Sequence, residues 1–363
     1  MQKSVLHKVV AQLRLEWHEL ITIHPSDRPW QMALAAALAT GLPLMVGAWF
    51  DHLDYGLISS LGGLSFLYLP ATPLHHRMVS MMALSFGMIA CYACGVISHF
   101  FPMLLVPVLT LVAILVTMLC RFYRVGAPGS MFFVMAASIA AYTPTTVTDV
   151  PLKVGLLTMG CLLATLIAFF YSLVILRLRE PQPIAPLLKA DFDFVVVDAV
   201  VVGTFVGVSL ALAQALQLER PYWVPVSCLA VIQGMSLRAV WMRQLHRLLG
   251  TILGLLVAFA LLMLPLGKWS VALLLTTLSF IIETAVMRHY GFAVIFITPL
   301  TIFLADAATL GLEPPGQVIE ARLIDTVVGC AVGLVGGVCL HSTRFRGIIT
   351  PLMRRAIPSR LVP

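Results

Sequence analysis

The sequence predicts an all-α polytopic membrane protein of about twelve transmembrane helices, built as two parallel six-helix repeats. Three observations predict it. The chain is 60% hydrophobic and only 11% charged, where an average soluble domain is about 25% charged. Its mean hydropathy is +0.99, too apolar to cover a water-facing surface. Its apolar residues fall into twelve runs separated by basic loops.

The runs lie at 31–50, 54–70, 78–99, 101–120, 127–143 and 154–176, then at 194–216, 221–236, 244–265, 269–287, 290–306 and 320–340. Four of them (54–70, 127–143, 221–236 and 290–306) fall short of the roughly 20 residues a bilayer asks for. Tilt, a break or incomplete crossing would account for these. With the N-terminus in the cytoplasm, nineteen of the 23 Lys and Arg fall on the cytoplasmic side. The other four, Lys153, Arg220, Lys268 and Arg322, fall opposite. That bias orients the protein in a cell inner (cytoplasmic) membrane, and both basic tails agree with an even number of spans.

Around the spans, residues 1–29 read as a cytoplasmic amphipathic segment, with Leu6, Val9, Val10, Leu13, Trp17, Leu20 and Ile21 at helical spacing. Residues 30–176 form the first repeat and 193–345 the second. The Pro-rich stretch 177–192 is a cytoplasmic linker, and 346–363 a basic cytoplasmic tail. The repeat is read from features that recur about 165 to 170 residues apart. Asp54-Tyr55-Gly56 and Pro221-Tyr222-Trp223 each precede a short run. Arg124-Val-Gly126 and Arg288-His-Tyr-Gly291 each open one. Lys153 precedes Gly160-Cys161 as Arg322 precedes Gly329-Cys330. Six spans per half bring both halves in from the cytoplasm, so the relation is parallel, about an axis along the membrane normal.

Ionisable groups in or near the membrane are the candidate site. Arg243, Arg247, Gly250 and Gly254 share one helix face, so two cations lead to a small-residue groove. A guanidinium pair suits a carboxylate; snorkelling Arg beside a packing motif explains the same pattern. His246 adjoins the pair and titrates near neutrality. Arg322 and Asp325 stand three apart, within reach of a local ion pair, about 8 Å into the last span. Glu283 and Arg288 flank a cytoplasmic turn. Gly329, Gly333 and Gly337, like Gly203 and Gly207, mark faces for close helix approach.

Soluble chemistry is not indicated. There is no H-E-x-x-H, Walker A or Gly-x-Ser-x-Gly sequence, so an enzyme is not expected, nor a cofactor or metal. Cys91-x-x-Cys94 has no second pair or His at metal spacing and reads as small core residues. The net charge of +7 belongs to membrane loops rather than to nucleic acid.

In the second half, Tyr222-Trp223-Val-Pro225 is followed by Arg238-x4-Arg243-x2-His246-Arg247-x2-Gly250-Thr251-x2-Gly254, and later by Glu320-Ala-Arg322-x2-Asp325-Thr326-x2-Gly329. This order resembles the fusaric acid resistance protein family of the aromatic acid exporter superfamily, and more distantly the plant aluminium-activated malate transporters. The resemblance covers 30–345 and is sharpest over 221–258 and 318–337; the first half lacks the Arg-rich stretch. The linker is too short for the soluble domain that many larger members carry. The resemblance implies a proton-driven exporter of aromatic or other organic acids, with an organic-anion channel or a membrane scaffold as alternatives. Expected partners are membrane lipid, a small organic anion and, for an exporter, a periplasmic adaptor or outer-membrane channel; self-association is left open. Arg243, Arg247, His246 and Tyr222 are the substrate-binding candidates. Asp325, Arg322, Glu283 and Arg288 are the coupling or gating candidates.

Overall fold

The computed structural model describes residues 18, 20, 22–184, 192–306 and 314–356. The expected amphipathic helix over 1–29, the middle of the linker and the end of the tail fall largely outside these residues.

Every apolar run becomes a helix. The first half holds α1 (Trp30–Trp49), α2 (Leu53–Gly63), α3 (Leu74–Ser98), α4 (Pro102–Phe122), α5 (Met131–Tyr142) and α6 (Val150–Leu178). The second holds α7 (Asp198–Ala215), α8 (Trp223–Ile232), α9 (Leu237–Leu262), α10 (Lys268–Ala285), α11 (Tyr290–Asp306) and α12 (Pro315–His341); a basic helix α13 (Thr343–Ala356) follows. Eight of these helices, α1, α3, α4, α6, α7, α9, α10 and α12, are long and apolar enough to cross a bilayer.

The four short runs are short helices, of 11, 12, 10 and 17 residues for α2, α5, α8 and α11. Local sequence stops three of them. Gly62-Gly63 ends α2, which tightens into a 3₁₀ turn at Leu64–Tyr68 before Pro70. Thr143-Pro144 ends α5, and Gln233-Gly234 ends α8. All ten residues of α8 are buried, as are eight of the twelve in α5. A helix apolar on all sides is one that is enclosed. These two pack on each other at the centre of the molecule, with Phe133 and Val134 in one core with Trp223, Val226 and Leu229.

The long helices are built the other way. Along α6, Leu157, Cys161, Ala164 and Ala168 are buried while Met159, Leu162, Leu166 and Phe170 are exposed. Small residues face protein and large apolar ones face outward, as expected where lipid is the solvent and close backbone approach drives helix association.

Within the first six helices, α1 touches α2 and α6, α2 touches α6, α3 touches α4, α5 and α6, and α4 touches α5; within the next six, α7 touches α8 and α12, α8 touches α12, α9 touches α8, α11 and α12, and α10 touches α11. Between halves, α1 packs on α10 and α4 packs on α7. Glycines set both seams: a methyl on Gly41 would strike Thr276 Oγ1, and one on Gly207 would strike Thr110 Oγ1. The two glycines stand as far apart in sequence as the two threonines. Gly160 and Gly329 likewise press on carbonyls of their neighbours, Ser59 in α2 and Val224 in α8.

Several helix starts differ from the sequence expectation, and at two of them the difference deepens the site. The ninth helix begins at Leu237 rather than near 244, because Ser236 caps it by accepting a hydrogen bond from the Ala239 amide at 3.1 Å. The last long helix begins at Pro315 rather than near 320, with proline in its first turn. Polar residues thus extend both helices past their apolar runs. Arg247 and Asp325 each lie ten residues inside, about 15 Å by helical rise.

Candidate functional site

Eight candidate residues were read from the sequence, and the structure divides them into two groups. Arg322, Asp325 and Tyr222 gather around the N-terminal end of α8, in the interior, with Arg247 of α9 in electrostatic reach of Arg322. His246, Glu283, Arg243 and Arg288 lie toward the start of α9 and the α10–α11 turn.

The interior group is a cluster of buried charges. Arg322 is 2% exposed, with its guanidinium carbon 3.9 Å above the Trp223 ring. Its Nη2 donates to Thr301 Oγ1 at 3.2 Å, while Nε and Nη1 have no hydrogen-bond partner. Stacking on indole is the arrangement that best stabilises a desolvated guanidinium short of an anion. Arg247, from α9, is 4% exposed, and its Nε is also unpartnered. It lies within electrostatic reach of Arg322, with Cys330 in reach of both.

Asp325 is 1% exposed and neither carboxylate oxygen has a partner. The ion pair with Arg322 that the spacing allowed does not form: the guanidinium is turned toward Trp223 and Thr301 on other helices. The two charges still interact, and Asp325 is also in electrostatic reach of Arg220 and Glu219 in the α7–α8 turn. Tyr222, which precedes α8, completes the group; its ring lies 6.0 Å from that of Tyr142. Native interiors rarely leave polar atoms unpaired. Here Ser227 Oγ on α8 is unpaired as well.

The glycines beside the arginines form no open groove. Gly250 packs on the Gly291 carbonyl and Val294, and Gly254 on the Ile295 carbonyl and Thr298, so α11 fills the space. Arg243 is half-buried on the same helix and shows no polar partner among the described residues.

The second group ties the chain's N-terminal lead-in to the bundle. The Leu20 carbonyl lies 3.3 Å from His246 Nε2 and 2.6 Å from His289 Nε2. Arg28 binds Glu283 at 2.9 Å, and the His24 amide donates to the Arg288 carbonyl. Arg288 serves through its backbone; its side chain is exposed. In the other half-to-half seam, Arg121 at the end of α4 binds Asp198 at the start of α7 at 2.5 Å, and Arg346 binds the same carboxylate at 3.1 Å.

Sequence reasoning missed Trp223, Thr301, Arg28 and His289. Trp223 stood in the quoted Tyr-Trp-Val-Pro stretch, yet only its neighbour was chosen. Arg28 was counted solely as a loop charge, and nothing local links it to Glu283. Arg77 was also taken as a loop charge; it lies buried in the first turn of α3, donating to the Thr72 carbonyl at 2.6 Å and to Ser172 Oγ at 3.3 Å. All seven cysteines are free. Among the described residues, no three His, Cys, Asp or Glu are grouped to hold a metal ion.

A bundle of eight long apolar helices, with large side chains outward and charges enclosed, defines a polytopic α-helical membrane protein. Within that class, residues 207–336 match the family described as fusaric acid resistance protein-like, the family read from the sequence motifs. All eight candidate residues lie inside that stretch. The chain is 20% identical over 465 residues to the "Uncharacterized membrane protein YvaC" of Bacillus subtilis (strain 168), covering 88% of this chain and 74% of that one. It is 30% identical over 168 residues to the "Uncharacterized protein YhfK" of Escherichia coli (strain K12), covering 45% of this chain and 23% of that one. No solved structure matches.

Proposed function

We propose that the protein is a secondary transporter of the inner membrane that exports aromatic or other organic acids in exchange for protons, with both termini cytoplasmic. The observation that carries the reading is the enclosure of Arg247, Arg322 and Asp325 inside an apolar bundle, with several polar atoms unpaired. Buried charge is expensive in a membrane protein and persists where transport uses it. The family match over 207–336 supports the same class.

The shared packing scheme of the halves, and the paired Gly–Thr seams, support a duplication of six helices related by an axis along the membrane normal. The enclosed α5 and α8 then meet near that axis as half-length helices. In the second half, Arg322 and Arg247 supply the positive charge for a carboxylate, and Tyr222 and Trp223 offer aromatic surface. Arg243 and His246 stand on the cytoplasmic approach. Asp325 exchanges the coupling proton, taking it from the outer side as the acid is released there and giving it to the cytoplasm before the next acid is bound, so proton and substrate are carried in alternation. Glu283 and Arg288 anchor the N-terminal segment beside this approach.

The test is efflux from proteoliposomes loaded with a panel of radiolabelled aromatic and aliphatic acids, with and without an imposed pH gradient. Gradient-driven efflux of at least one acid is expected. Flux indifferent to the gradient would assign a channel, and no flux of any acid would assign a scaffold.

A further inference from the structure

A cavity of about 350 Å³ opens beside Asp325, walled by Gln217, Leu218 and Glu219 of the α7–α8 turn and by Gln317, Glu320 and Ile324 of α12. It lies at the end of α7 opposite the Arg121–Asp198 pair. We propose that it is the port through which protons from the outer aqueous phase reach Asp325. The proposal rests on the transporter reading above and on its orientation.

Four features argue for it. The space is roomy enough for several waters, at about 30 Å³ each, and its wall is polar. Its charged side chains are carboxylates, Glu219 and Glu320, both exposed, with Asp325 buried behind them. Clustered negative charge at a low-dielectric mouth raises the local concentration of cations and repels anions, so the port admits protons and turns away the acid substrate. Asp325 has two oxygens with no hydrogen-bond partner, whereas a relay carboxyl inside a fixed hydrogen-bond network would already be committed.

A proton also fits better than a metal. It needs one carboxyl, while a cation such as calcium or magnesium needs six or more oxygens, and the described acids are not grouped for that. The charged and titratable groups around Asp325 come from each neighbouring element: Glu219 and Arg220 from the turn, Tyr222 before α8, and Glu320 and Arg322 on α12 itself.

The experiment is chemical labelling, which needs no substrate. Protein in proteoliposomes of defined orientation is treated from outside with a water-soluble carbodiimide and glycinamide. The Asp325 peptide is quantified by mass spectrometry across a series of outer pH values at constant inner pH. Exposed Asp51, at the end of α1 on the same side, reports orientation in the parent and in every variant. Labelling of Asp325 should follow outer pH, and Gln317→Trp, which narrows the cavity, should reduce it several-fold. The double variant Glu219→Gln/Glu320→Gln should move the labelling midpoint to lower pH. Labelling that does not change with outer pH, or is unchanged in both variants, would overturn the port. Protection by sodium at constant pH would assign the site to a metal cation and overturn it too. Outer-controlled labelling without any efflux would keep the port and remove the transporter reading; proton-driven efflux with Asp325 silent to the outer reagent would do the reverse.

Discussion

At the scale of single residues, Arg322 decides how the interior is held. A buried guanidinium has three ways to recover lost hydration: a carboxylate, hydrogen bonds or an aromatic face. Asp325 is close in sequence, but the guanidinium takes Trp223 and Thr301 instead. A desolvated cation–π contact contributes about 2 kcal/mol. Trp223→Leu is therefore expected to lower the detergent-phase Tm by several degrees, and Trp223→Phe by less. An unchanged Tm in Trp223→Leu would mean the stack carries no stability. Arg247→Lys should keep the charge but restore only part of the flux that Arg247→Ala loses, since an ammonium cannot replace a planar fork; efflux per inserted molecule checks this. The sequence marked Arg247, Arg322 and Asp325 because charged residues stand out in apolar runs. It did not mark Trp223 or Thr301, because an aromatic or a hydroxyl in such a run is ordinary. Their role comes from which helices meet.

At the scale of elements, the short helices were legible as short but not as enclosed. Glycine and proline positions give length, and length alone suggested tilt or a break. Whether lipid or protein surrounds α8 depends on neighbours from both halves, and local sequence holds no record of them. The same holds for Gly250 and Gly254: their spacing showed a close-packing face, and only the fold shows that α11 fills it. Helix starts were misplaced where a cap or a polar turn extends the helix beyond its apolar run, as at Ser236 and Pro315. The seams give a symmetric prediction. Gly41→Leu forces α1 from α10, and Gly207→Leu forces α4 from α7. Overpacking of this kind costs about 1–3 kcal/mol, so both should lower Tm and the yield of monodisperse protein by similar amounts. A strong effect in one and none in the other would contradict the equivalence of the halves.

At the scale of the whole molecule, composition was enough to place the chain in a membrane, and the bias of loop charges gives the orientation proposed here. The proposed orientation puts the end of α13 in the cytoplasm. Green fluorescent protein fused after Ala356 should fluoresce and alkaline phosphatase fused there should be inactive; an active phosphatase would reverse the topology and with it the side on which the Asp325 cavity opens. The central claim is that the enclosed charges of the second half are transport machinery rather than structural survivors. The most direct measurement is pH-gradient-driven acid efflux in Asp325→Asn, normalised to membrane-inserted protein. The account predicts that the variant inserts normally, still takes up the acid, and loses most of the acceleration that the gradient gives the parent. Efflux equal to the parent, with the same response to the gradient, would contradict it.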